Sequence, residues 1–413
     1  MKKALVMVGV FALIGSAWAF RPTKAEELVP ESPQPLKSHV VACVVDADPT
    51  SRAVMQIIPF GGMRLIAAGA GSTLLDREVT DLEPIELSSL VPTGTGVVGV
   101  EFSGSGGEAA IEASGETSLW AGNCPPAITA TGVITAVSTD TGESTMLYLA
   151  NPYAADAEVA VLSSSEQGSD NLGALSSIHI PARSVVSRNI SDIFRLRKSV
   201  SLVFETRRGA FHALVIEGGS GDTMMVEARP GATEWFVPVP SSIPSNILVA
   251  PSTQQPTSVL VERFDGEWTT VFEEMIPVGE HLEFDATTKG EGPGFLRITS
   301  TTPVVAGISL FGDGYRAGGP GLTRLGYEWL AVGSEGRRMT LLIMNPNDVE
   351  GELRVFHGTR QITRTVPPES MIEVPLLWEG FASVESSVAV GLAWTAEEPG
   401  LAYSNGYTYT EWE

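Results

Sequence analysis

A short phrase recurs through this 413-residue chain at intervals close to 100 residues. An apolar run meets a proline, a few polar residues follow, and a second, alternating run begins. Leu341-Leu342-Ile343-Met344-Asn345-Pro346 leads to Glu352-Leu353-Arg354-Val355-Phe356. Leu147-Tyr148-Leu149-Ala150-Asn151-Pro152 leads to Glu158-Val159-Ala160-Val161, and Ile247-Leu248-Val249-Ala250-Pro251 leads to Ser258-Val259-Leu260-Val261. A fourth copy reads Cys43-Val44-Val45-Asp46-Ala47-Asp48-Pro49, followed by Ala53-Val54-Met55-Gln56-Ile57. The turn prolines Pro49, Pro152, Pro251 and Pro346 are separated by 103, 99 and 95 positions. That period limits the chain to a tandem array, with units near the common domain size of about 100 residues. A propeller blade takes only about 40–50 residues, so the period argues against one.

Within each unit the runs are short, apolar or alternating, and bounded by Gly, Pro, Ser and Asp, which is the pattern of strands and turns. Proline presets φ for a turn and forces the residue before it into extended backbone, so a strand must stop there. Later in three units a strand enters a proline-started turn, at Pro181, Pro277 and Pro367. Six or seven strands at spacings of about 8–12 residues predict a β-sandwich of immunoglobulin type. The expected fold is therefore all-β, a tandem array of four immunoglobulin-like β-sandwich domains after an N-terminal signal segment. The repeats are expected at 38–123, 124–236, 237–331 and 332–413, behind a signal peptide at 1–19 and a proline-rich linker at 20–37. Leu119-Trp120, Glu234-Trp235, Glu328-Trp329 and Glu411-Trp412 fall at the end of each, which predicts a closing strand. An odd number of strands would place the two ends of a domain at opposite poles and string the domains into a rod. The alternative is that the tryptophan strand opens the next repeat and the last copy closes on the first.

The leader has the parts of an export signal: Lys2 and Lys3, an apolar stretch from Ala4, and Ala17-Trp18-Ala19 before Phe20. Cleavage after Ala19 removes two lysines and no acid, taking the net charge from −23 to −25. Such a surface repels phosphate backbones and anionic headgroups, which excludes nucleic acid and leaves membrane contact only to an uncleaved N-terminal segment. Cys43 and Cys124 are the only two cysteines. An exported chain predicts a disulfide between them, with a loop whose closure is worth roughly 4–5 kcal/mol as an upper figure. The expected location is secreted, or in the extracytoplasmic part of a bacterial cell envelope.

Catalytic patterns are missing where they would be legible. His39, His179, His212, His281 and His357 are scattered over the repeats, with no pair at metal-ligand spacing. There is no G-x-S-x-G elbow. Gly94-Thr95-Gly96-Val97-Val98-Gly99 matches G-x-G-x-x-G but precedes a valine-rich strand, whereas the nucleotide motif opens a helix. The acidic groupings Asp46 with Asp48, Glu273 with Glu274, and Asp313 beside glycines match no calcium loop. No catalytic, cofactor-binding or metal-binding residue is therefore assigned. Trp120, Trp235, Trp329 and Trp412 are the candidates for stacking on a ligand, against a purely structural role as plugs.

The string Trp120, Cys124-Pro125, Leu149-Ala150-Asn151-Pro152 and Ile180-Pro181-Ala182-Arg183-Ser184 resembles an uncharacterised family, a domain of unknown function, of exported actinobacterial multi-repeat β proteins. The resemblance implies a secreted or cell-envelope location and brings no catalytic residue. The sequence thus points to a non-enzymatic envelope scaffold, adhesion or binding module whose partner is an extracellular protein or a cell-wall glycan. The alternative is a carbohydrate-binding or glycan-processing protein with its site in an inter-domain cleft.

Overall fold

The computed structural model describes residues 39–408 except 48–51, 60–62, 70, 80–84, 92–93, 103–106, 115–118, 141–143, 166–167, 171–172, 174, 219–222, 265–266, 287–292, 313–314, 333–337, 378–380, 398–400 and 406. The signal segment, the proline-rich linker, Asp48, Pro49, Asp313 and Trp412 lie outside the described residues. The chain is all-β, and each repeat is a two-sheet sandwich.

Repeat 1 contains β1 (His39–Ala47), β2 (Arg52–Pro59), β3 (Met63–Gly69), β4 (Ser72–Val79), β5 (Ile85–Glu86), β6 (Gly94–Phe102), β7 (Gly107–Ser114) and β8 (Leu119–Asn123). Repeat 2 contains β9 (Thr131–Val137), β10 (Ser144–Asn151), β11 (Ala157–Ser165), β12 (Gly168–Asp170), β13 (Ile178–Ile180), β14 (Ser184–Asn189), β15 (Val200–Arg208), β16 (His212–Gly218) and β17 (Thr223–Glu227). Repeat 3 contains β18 (Ala232–Val239), β19 (Ser245–Pro251), β20 (Thr257–Phe264), β21 (Trp268–Ile276), β22 (Leu282–Asp285), β23 (Gly294–Gly312) and β24 (Tyr315–Pro320). Repeat 4 contains β25 (Gly326–Val332), β26 (Arg338–Asn345), β27 (Gly351–His357), β28 (Arg360–Val366), β29 (Ser370–Leu377), β30 (Phe381–Glu397), β31 (Leu401–Asn405) and β32 (Tyr407–Thr408).

In repeat 1 the sheets run β1-β6-β3-β4 and β5-β2-β7-β8; in repeat 2 they run β9-β15-β11-β12 and β14-β10-β16-β17, with β13 also on β11. Repeats 3 and 4 keep the plan, but one long strand serves both sheets. β23 pairs β18 and β20 with its first half, then β19 and β24 with its second. β30 does the same with β25 and β27, then β26 and β31. Most consecutive strands cross between the sheets, which is the connectivity of a sandwich and not of a propeller blade.

The landmark phrase owes its unbroken apolar character to burial on both faces. On β10, Leu147 and Leu149 enter the core of repeat 2 while Tyr148 and Ala150 enter the core of repeat 1. β20 has one wet face and alternates strictly, buried and half-buried, along its length. The second sheet of a repeat is thus shared between two cores. A third core joins repeats 3 and 4 and takes in Val133 and Val203 of repeat 2. Residues 38–413 accordingly form one compact unit.

This arrangement corrects the rod. The last strands of the repeats pack in a closed circuit: β8 on β17, β17 on β24, β24 on β31 and β31 on β8. Each repeat has eight strand positions, with β12 and β13 together filling the fourth position of repeat 2 and β32 added outside the eight of repeat 4, on β25. An even number returns the chain to the pole where it entered, so consecutive repeats turn back around an axis.

Strand pairing also moves the boundaries. Trp235 lies on β18, opposite Ile298 of repeat 3, and Trp329 on β25, opposite Val384 of repeat 4. The tryptophan strand therefore opens a repeat, and limits at 236 and 331 would cut through it. By the same logic the counterpart of β10, β19 and β26 in repeat 1 is β2, which ends at Pro59. Pro49 follows β1, a strand of the other sheet, so Pro59 takes its place and the spacings become 93, 99 and 95. Trp120 sits on β8 and is not a counterpart of Trp235; nothing of its side chain is described.

Candidate functional site

The residue that makes the landmark corner is the asparagine before the proline. Asn345 is fully buried, and its Nδ2 donates to the carbonyls of Val349 (2.8 Å), Pro367 (3.0 Å) and Val366 (3.3 Å). Its Oδ1 accepts from the backbone N–H and the Nδ2 of Asn347. Asn151 repeats the pattern with Ala155, Ile180 and the N–H of Tyr153. One amide thereby ties the first corner of the repeat to the strand entering the second proline turn. In repeat 3, Ala250 has no such group, and Ser252 bonds Pro303 O through both its N–H (3.0 Å) and its hydroxyl (2.8 Å).

The second turn carries a left-handed residue in each of these repeats: Arg183 (φ 54°), Gly279 (φ 80°) and Glu369 (φ 47°). Two of the three are not glycine, a backbone cost of about 1–2 kcal/mol each. Both reach back to the preceding repeat. Arg183 Nη1 donates to Thr73 Oγ1 on β4, and Glu369 Oε1 accepts from Trp268 Nε1 on β21 at 2.6 Å. After Gly279 the reach is made by His281, whose ring hydrogen-bonds Ser199 (3.1 Å) and Ser201 (3.3 Å) of repeat 2. Glu373 adds two bonds to Ser241, of 2.7 and 2.8 Å.

Trp268 is the aromatic residue that the repeat pattern did not single out. It is half-buried, with the Arg297 guanidinium 4.2 Å from its ring centroid and Arg297 in turn held by Glu262. Trp235 and Trp329 are enclosed, each 2% exposed. Each donates Nε1 to the carbonyl three residues back and to a carbonyl on the long strand, Val304 (2.8 Å) or Val390 (2.9 Å). Neither indole offers a face to a ligand. They are plugs.

Cys43 and Cys124 form the disulfide, with Cα atoms 4.7 Å apart. It joins β1 to the residue after β8, and so the two sheets of repeat 1. A bond of this kind fits an oxidising, extracytoplasmic setting. Beside it, Pro125 O accepts from Ala42 N of repeat 1 and from His212 Nδ1 of repeat 2, at 2.8 Å for the latter. The other ring nitrogen, Nε2, hydrogen-bonds the Tyr153 hydroxyl at 3.1 Å. His179 is exposed beside Asp156, and Glu273 and Glu274 are exposed on β21, where successive side chains point to opposite faces.

Among the described residues the two buried carboxylates, Glu217 and Glu227, lie near the axis on the paired strands β16 and β17. Glu217 accepts from Ser138 N (2.6 Å) and pairs with Arg316 of repeat 3; Glu227 pairs with Arg229 at 2.8 Å. Leu214 stands opposite Glu227, and Glu217 is three residues from Leu214, so the two acids point to opposite faces of the sheet. A glycosidase pair must face one bond from both sides, about 5–10 Å apart, which this placement prevents. The signal for both was an acid ending an apolar run, Leu214-Val215-Ile216-Glu217 and Met224-Met225-Val226-Glu227. Among the described residues no group of three His, Cys, Asp or Glu could hold a metal ion, and no helix is long and apolar enough to cross a membrane.

Across the axis the Tyr403 hydroxyl donates to Asn405 Oδ1 (3.2 Å), and Asn405 Nδ2 donates to Pro320 O (3.0 Å) and Gly321 O (3.2 Å). Burial, reinforced by Glu227, raises the Tyr403 pKa; burial, reinforced by Glu101, raises that of Tyr153. A phenol whose folded pKa lies above its unfolded value stabilises the fold below the ordinary value of about 10 and loses that contribution as pH climbs past it. Ultraviolet difference titration should therefore show that at least two of the seven tyrosines, Tyr153 and Tyr403, ionise only with unfolding. Titration of all seven in the folded chain would contradict this assignment. No protein-family model matches the sequence, and no curated protein matches it.

Proposed function

We propose that the chain is a non-enzymatic, exported binding and scaffold module of a bacterial cell envelope. The observation that carries this reading is where its polar side chains are used. Arg183, His281, Glu369, Glu373 and Arg316 each hydrogen-bond across a junction between repeats. Groups with the chemistry for acid–base work thus join four sandwiches in one compact unit, leaving surface loops to meet a partner. The partner we favour is an extracellular protein, because enclosed Trp235 and Trp329 supply no stacking platform for a glycan. The opposed directions of Glu217 and Glu227 weigh against glycan hydrolysis.

The test incubates the purified chain with isolated envelope, measuring both retention after washing and release of reducing ends. Retention that survives glycan digestion but not protease treatment of the envelope, without release of reducing ends, is the expected result. Steady release of reducing ends would overturn the non-enzymatic reading, and retention abolished by glycan digestion would overturn the choice of a protein partner.

A further inference from the structure

Repeats 2 and 3 meet along a seam where two unlike surfaces lie side by side. On the repeat 2 side, the loop between the short helix Ile190–Ile193 and β15 reads Arg195-Leu196-Arg197-Lys198. Residues 183–208 hold seven of the 26 lysines and arginines and only two acids, in a chain of net charge −23. Leu196 is 64% exposed and held in left-handed backbone at φ 57°, a conformation a leucine adopts only when its surroundings impose it. They do: Leu196 N donates to Thr139 O (3.1 Å), Arg197 N to Thr139 Oγ1 (3.2 Å), and Thr139 N to Arg197 O (2.9 Å). The apolar tip is presented rigidly, between exposed Arg195 and Lys198.

The repeat 3 side is of opposite character. β21 is the edge strand of its sheet and carries exposed Glu273, Glu274 and Met275 just before its buried last residue, Ile276, and the turn after it exposes Val278. Met275 is 64% and Val278 45% exposed, so three of the six exposed large apolar side chains among the described residues lie here. The His281 bonds to Ser199 and Ser201 join the two sides. Leu196 is three residues from Ser199 and Val278 three from His281, a reach of about 10 Å on each side.

We propose that this seam docks onto the same seam of a second copy, giving a two-fold dimer. Adjacent patches of opposite charge are self-complementary under a two-fold axis. The Arg195-Leu196 loop of each copy then meets Glu273 and Met275, which share one face near the end of β21 of the other, and every contact is made twice. Charge complementarity selects the second copy as occupant. The leucine and methionine supply the apolar centre that a stable interface needs, inside a charged rim that fixes orientation.

Sedimentation velocity of the intact chain from about 1 to 100 μM, at low and high salt, tests this, since interfaces of small area associate in that range. The expected result is a dimer that weakens with salt. Leu196→Ala should weaken it about tenfold, equivalent to about 1.4 kcal/mol. Arg195→Glu and Glu273→Arg should each give monomer, and the double exchange Arg195→Glu with Glu273→Arg should restore the dimer. All three positions are exposed, so an unchanged unfolding midpoint shows that the variants fold. Monomer throughout, self-association unmoved by either charge reversal, or failure of the double exchange to rescue would each overturn the proposal.

Discussion

Replacing Asn345 by aspartate should lower the unfolding free energy by about 4–5 kcal/mol, because the isosteric carboxylate keeps the shape and reverses the chemistry. Asn345 Nδ2 donates to three backbone carbonyls in a fully buried position. Aspartate donates to none of them and sets a charge against their oxygens, or takes up a proton to avoid it. Asn345→Ala removes the same bonds without adding a charge and should cost less, about 3 kcal/mol. Asn151→Asp should behave alike, since it faces Ala155 and Ile180 in the same way. Urea midpoints at pH 7 give the order directly. An aspartate variant within about 1 kcal/mol of the parent would show that the corner is held by its proline alone.

The second large effect belongs to Trp329. Trp329→Ala should cost about 4 kcal/mol, the range for emptying a large aromatic site, and it also strands the carbonyls of Gly326 and Val390. Trp329→Phe fills most of the volume and loses only the Nε1 bonds, so about 1–2 kcal/mol is expected. The same pair at Trp235 should reproduce the ratio, because its ring makes the counterpart bonds to Ala232 and Val304. Partner retention measured below the unfolding transition should be unchanged in both phenylalanine variants. Loss of retention in a variant of unchanged stability would return one of these rings to the role of ligand platform.

The proline period and the strand spacing were legible because each rests on local backbone chemistry, which survives in the sequence as Asn-Pro, Pro-x-x-Ser and alternating runs. The alignment of repeat 1 was less so. Pro49 follows an apolar strand just as Pro152 does, and only pairing between strands separates the two sheets to which β1 and β10 belong. Ring closure was hidden for a related reason. It depends on whether a repeat has seven or eight strands, and the eighth is a strand of two to three buried turns of pleat, such as Leu401–Asn405, that reads like the end of its predecessor. At the junctions the sequence marks little. Arg183, Glu369 and Trp268 sit at ordinary turn and edge positions, and what distinguishes them is a neighbour roughly a hundred residues away, Thr73 for Arg183 and Trp268 for Glu369. Glu217 and Glu227 did leave a trace, as charges inside apolar runs, but their opposite directions follow from the register of β16 on β17.

The disulfide acquires a mechanical meaning from its place at the two ends of one repeat. A pull along the chain enters repeat 1 through β1 and leaves it after β8, and Cys43 and Cys124 join those two points across 81 positions. Tension therefore bypasses everything between them, hiding about 270 Å of contour length from extension at about 3.4 Å per residue. Repeats 2 to 4 have no such bypass and would pay out their full length. Under load the oxidised chain is a short tether with one inextensible segment, and a reductant would lengthen it without breaking the backbone.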